Sequence, residues 1–131
     1  MVATQAVYRE LIRLQKLTKL RHEMELFHLQ TQSAAVEAEN VDLFKMHDGR
    51  FGVDASIVPV DIIMRRLETN KARQAGLEET AIAERRNWLK VSRTIDTLNR
   101  KLRKLDEELM RAEAATELDE SISHLLAGPQ I

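Results

Sequence analysis

Apolar residues in the second half of the chain recur at alternating steps of three and four. They run Val60, Ile63, Leu67, Asn70, Gln74, Leu77, Ala81, Glu84, Trp88, Val91, Ile95, Leu98, Leu102, Leu105, Leu109 and Ala112, and all but Asn70, Gln74 and Glu84 are apolar. A rhythm sustained over so many heptads is the signature of a coiled coil. The three polar exceptions are expected to set register at some cost in stability. In the first half Leu17, Leu20, Met24, Phe27, Thr31, Ala34, Ala38 and Val41 keep the same rhythm, which marks them as the seam of a first helix. Val7, Leu11 and Leu14 fall out of step with that seam, so a local change of pitch is predicted around Leu14 to Leu17.

Glycine and proline divide these two stretches. Gly49, Gly52 and Pro59 cluster in the middle, Gly128 and Pro129 stand at the end, and Gly76 alone lies inside a helical pattern. The pattern predicts a first helix over about 4–45, a loop over about 46–58 and a second helix over about 59–127, forming a single coiled-coil domain over 1–131. Pro59 suits the first turn of a helix, Asp61 is well placed against its dipole, and Gly128-Pro129 is a stop signal. The loop is long enough for the chain to reverse, and a seam in the same chain has the higher effective concentration. The expected fold is all-α, with two long helices forming an antiparallel coiled-coil hairpin and a C-terminal helical overhang.

At ~1.5 Å per residue the first helix is roughly 60 Å long and the second roughly 100 Å. With the turn centred near Phe51, residue 4 is expected opposite about residue 99, which leaves everything from Arg100 onward without a partner in the chain. Leu102, Leu105 and Leu109 are then exposed seam residues. Each is worth roughly 1.5–3 kcal/mol when buried, so another protein or a second copy is expected to cover them.

Composition agrees with a seam rather than a globular core. Ala, Glu, Lys, Leu and Arg make up about half of the chain, as in coiled coils, and aromatic residues are only 4%. With no cysteine there is no disulfide framework or thiolate metal site, and a cytoplasmic location is expected. No apolar run approaches the length of a membrane span, so membrane insertion is not expected. A net charge of −1 gives no bulk attraction to nucleic acid.

Local charge is polarised along the second helix. Arg85, Arg86, Lys90, Arg93, Arg100, Lys101, Arg103 and Lys104 are followed by Asp106, Glu107, Glu108, Glu113, Glu117, Asp119 and Glu120. Arg86, Arg93 and Arg100 are seven apart and opposite the seam, forming an outward stripe suited to an acidic protein surface. Arg9, Arg13, Lys16, Lys19 and Arg21 are expected to lie beside Arg85 to Arg93. The candidate partner-binding residues are Arg86, Arg93, Arg100, Leu102, Lys104, Leu105 and Leu109. Nucleic acid is not an expected partner, because aromatic stacking groups and a zipper-type basic fork are missing.

His22, His28, His47 and His124 are scattered without metal-ligand spacing, and "DGRFGVD" reads as turn chemistry rather than a phosphate loop. No catalytic residue, cofactor or metal is expected, and a two-helix body offers no pocket in which to tune a catalytic group.

"NRKLRKL" at 99–105, "RAEAATELDE" at 111–120 and the opening "LIRLQKLTKLRHEME" together resemble the FliJ/YscO-type proteins of flagellar and type III secretion export. Arg111, Glu113, Glu117, Leu118, Asp119 and Glu120 look like that family's Arg/Glu-rich stretch closing on Leu-Asp-Glu. The resemblance implies a two-helix stalk that inserts into the ring of a hexameric export ATPase and couples it to the export gate, hydrolysing nothing itself. The competing readings are a dimeric structural or adaptor coiled coil, and an escort chaperone for secreted subunits. A homodimer stays open at this point.

Overall fold

The computed structural model describes residues 2–49 and 58–128, so most of the expected loop lies outside the described residues. Two helices account for nearly all of the rest: α1 (Val2–Asp48) and α2 (Val60–Ala127), packed against each other as a helical hairpin. The Pro59 carbonyl accepts from the amides of Ile62 and Ile63, both at 3.2 Å, and Asp61 lies in the first turn. At the other end Gly128 takes φ +65°, and its amide donates to the Leu125 carbonyl at 3.2 Å. Glycine enters that left-handed conformation without the steric penalty of a Cβ, which makes it a natural helix terminator.

The chain divides into two compact units. One comprises 1–18 with 91–131, the other 19–90. In the second unit the helices run antiparallel, with Asn40 against Asn70, Glu39 against Arg66, His22 against Glu84 and Glu23 against Trp88. Its core is Leu29, Val36 and Ile63, together with one fully buried polar residue, Asn70. In the first unit Ile12 and Ile95 are buried, and Gln5 donates to the Asp106 carboxylate.

The inward face of α2 is the one its apolar rhythm marks: Ile63, Leu67, Asn70, Gln74, Leu77, Ala81, Glu84, Trp88, Val91, Ile95, Leu98, Leu102, Leu105 and Leu109 are all buried or half-buried. The inward face of α1 is not. Leu17, Leu20, Met24, Phe27 and Val41 are exposed, as are Val7, Leu11 and Leu14. The α1 seam instead runs through Gln5, Tyr8, Ile12, Gln15, Lys19, His22, Leu26, Leu29, Ser33, Val36, Asn40 and Leu43, which step by three and four without interruption. The offset near Leu14 to Leu17 therefore belongs to an outward stripe, and no change of pitch follows from it. Half of the true seam is polar, and four of those residues meet partners on α2: Gln5 with Asp106, Lys19 with the Trp88 ring, His22 with Glu84 and Asn40 with Asn70.

Exchanging Leu29 or Val36 for Ala should cost ~2–4 kcal/mol in a denaturation curve. Phe27→Ala, at a side chain 71% exposed, should cost under ~1 kcal/mol. The reverse order would place the seam on the other face of α1.

Candidate protein-interaction surfaces

The proposed contact residues fall into two kinds. Arg86 is exposed on α2 in the unit 19–90; Arg93, Arg100 and Lys104 are exposed on α2 in the other unit. The Arg100 Nε donates only to the Asp96 carbonyl one turn back, at 3.4 Å, leaving its charge toward solvent. Arg100 and Leu102 also border a shallow polar depression with Asp96, Asn99, Arg103 and Asp106.

Leu102, Leu105 and Leu109 require a correction. All three are half-buried, and α1 reaches them, because Gln5 contacts Asp106 rather than a residue near 99. The pairing is displaced along α2 by about one heptad from a turn centred at Phe51. Arg9 accordingly approaches Asp106, with 4.0 Å between Nη2 and Oδ1, instead of the basic stretch 85–93. The overhang is real but begins later. From Met110 to Ala127 every residue of α2 is exposed.

This free segment carries the apolar groups that Leu102, Leu105 and Leu109 were expected to supply. Leu118 is 60% exposed, Leu125 78% and Leu126 81%. Glu113, Glu117, Asp119 and Glu120 surround them with negative charge, offset by Arg111. A lone helix of this length is marginally stable in water, and burying each leucine contributes roughly 1.5–3 kcal/mol. Both terms favour docking on another surface.

The second unit presents polar contacts of a different sort. The Trp88 indole Nε1 donates to Glu23 at 3.0 Å, and the Lys19 ammonium sits 5.0 Å from the centre of the ring. Trp88 is thus half-buried on the seam and clamped from α1. His22 Nδ1 lies 2.6 Å from the Glu84 carboxylate, with both side chains half-buried in the seam. Nearby, Leu26, Phe27, Leu29, Ser33, Leu77, Ala81 and Trp88 line an open trough of about 880 Å³. Sequence reasoning missed this trough because it put the α1 seam on the face of Thr31 and Ala34, which leaves Ser33 away from Ala81.

Glu39 is a carboxylate whose ionisation is displaced by a contact between the two helices. The Arg66 guanidinium donates to its carboxylate, with Nη2 to Oε2 at 3.1 Å, and this bond is the main cause holding its pKa below the ordinary 4.5; Asn70 and the charge of Arg73 act in the same direction. A carboxyl depressed in the folded state contributes stability that is complete above its unfolded pKa and is lost as pH falls through the folded one. Glu39→Gln should therefore flatten part of the fall in thermal midpoint below about pH 5, with little change at pH 7 beyond the lost pair. A variant whose acid limb overlays the parent's would show that this pair carries no pH dependence.

A second test addresses the corrected leucines. Replacing Leu102, Leu105 and Leu109 with Ala should lower hairpin stability by several kcal/mol, on the order of 1–2 for each half-buried site. Leu125→Ala and Leu126→Ala should leave it unchanged within ~0.5 kcal/mol. Urea denaturation at low protein concentration separates the two outcomes.

Among the described residues no helix is long and apolar enough to cross a membrane. Comparisons with protein-family models, with curated proteins and with solved structures find no match.

Proposed function

We propose that the chain is a non-enzymatic helical stalk of the FliJ/YscO type, which inserts its free C-terminal helix into the ring of a hexameric protein-export ATPase and links that ring to an export gate. The observation that carries this reading is the stretch Met110–Ala127, which stays helical with no covering surface and keeps Leu118, Leu125 and Leu126 in the open. An apolar strip set among carboxylates has both the burial energy to dock and the charge to be oriented by a basic lining. The export-specific part of the proposal rests on the likeness of 99–105 and 111–120 to that family. The exposed Arg86, Arg93 and Arg100 then supply a second, electrostatic contact on the same helix.

A dimeric adaptor is the alternative, and the outward apolar stripe of α1 favours it. Leu20, Met24 and Phe27 are more exposed than a monomeric coiled coil needs.

The test is sedimentation and ATP hydrolysis with a purified hexameric flagellar export ATPase. The parent should co-sediment with the ring. Leu118→Glu combined with Leu125→Glu should weaken that binding by about a hundredfold, or ~2.7 kcal/mol, with an unchanged circular dichroism spectrum and thermal midpoint. Changing Arg86, Arg93 and Arg100 together to Glu should weaken binding mainly at low salt. Failure of the parent to bind any such ring, with a tight dimer in its place, would establish the adaptor.

A further inference from the structure

The trough in the unit 19–90 has no role in the stalk reading, which uses the other end of α2. Its floor is apolar, formed by Leu26, Leu29, Leu77 and Ala81, and its length follows the seam between two antiparallel helices. Ser33 and Ala81 open it, because a seam built from leucine at those positions would fill the space. Its rims are polar and unequal in charge. Glu23, Gln30 and Glu37 stand at seven-residue intervals on the α1 side, and Glu78 and Arg85 on the α2 side. Phe27 also lines it, 71% exposed.

We propose that this trough is a docking site for a basic amphipathic helix of another protein. An elongated apolar floor between two helical rims is the shape that accepts a third helix by its apolar face. Three carboxylates against one guanidinium select lysine or arginine on the flanks of that helix, and like-charged flanks are rejected. Glu37 and Glu78 form no ion pair among the described residues, so both are available to such flanks. The free helical end of a second copy is the wrong occupant. It carries Glu113, Glu117, Asp119 and Glu120, the same sign as the rims. Trp88 closes one end of the trough and is the only tryptophan, so its emission reports occupancy directly.

The experiment titrates the full chain with two synthetic 18-residue amphipathic helices, one built of Leu and Lys, the other of Leu and Glu, following Trp88 fluorescence and confirming stoichiometry by calorimetry. The Leu/Lys peptide should bind one to one and shift the emission, at least about tenfold tighter than the Leu/Glu peptide. Ala81→Leu, which fills the floor, should weaken it by about tenfold or more, and Phe27→Glu, at an exposed position where the helices do not depend on the ring, should do the same. Glu37→Lys with Glu78→Lys should invert the preference between the two peptides. Equal binding of both peptides to the parent, or Leu/Lys binding that survives Ala81→Leu and Phe27→Glu, overturns the proposal. So does a parent that sediments as a dimer and is made monomeric by Ala81→Leu, since a second copy would then occupy the trough. None of these readouts involves an ATPase ring, so failure here and failure of the stalk reading are separate results.

Discussion

α2 can cover only one face of α1, and polar matching decides which. Judged by apolar area alone, the face bearing Leu20, Met24, Phe27 and Val41 should have won. The seam of α2, however, carries Asn70 and Glu84 among its apolar residues, and against an all-apolar face these would be buried without partners. Each unpaired group costs about 1–3 kcal/mol, and more when charged. The chosen face answers them in part: the Asn70 amide nitrogen donates to Asn40 at 2.8 Å while its Oδ1 stays buried without a partner, and His22 lies 2.6 Å from Glu84. In the other unit Gln5 serves Asp106 in the same way. An asparagine pair with Asn70 fully buried also fixes register, as it does in other coiled coils.

That choice creates the interaction surfaces. A helix with two apolar faces and one intramolecular partner leaves a stripe in water, the kind of surface through which proteins associate. Polar matching also leaves short side chains at Ser33 and Ala81 and so an incompletely filled seam. Beyond Leu109 α2 continues, with every residue from Met110 to Ala127 exposed. The binding features thus arise from the same compromise that holds the hairpin together. They are places where the requirements of folding and the distribution of apolar residues disagree.

The two helices differ in how far their faces could be read in advance. On α2 the seam is apolar at most heptad positions, and spacing alone identified it from Ile63 to Leu109. On α1 the seam includes Gln5, Gln15, Lys19, His22, Ser33 and Asn40, which a search for apolar rhythm passes over, while the outward face satisfies that search better. Recognising the true face requires pairing polar residues across two helices, information that neither helix holds by itself. The place where the overhang begins was misjudged for a related reason. A turn centre inferred from Gly49, Gly52 and Pro59 leaves the register free to move by one heptad, and the Asn40–Asn70 and Gln5–Asp106 contacts settle it. The exposed Arg86, Arg93 and Arg100 were legible because their position depends only on the α2 seam, which was correct.

A seam that is half polar on one side has an energetic consequence. Paired polar groups contribute little net stability relative to water, so folding rests on the apolar side chains of the seam: the buried Ile12, Leu29, Val36, Ile63 and Ile95, and the half-buried leucines between them. Such a hairpin has little stability in reserve. A partner that binds only the folded form then stabilises it by mass action, by about 2.7 kcal/mol at a hundredfold excess over Kd, an amount comparable to a whole buried leucine. Occupancy of the trough or of the free helix would therefore couple to folding as well as to recognition. A stripe left in water lowers the stability of the isolated chain, and any partner that covered it would raise that stability.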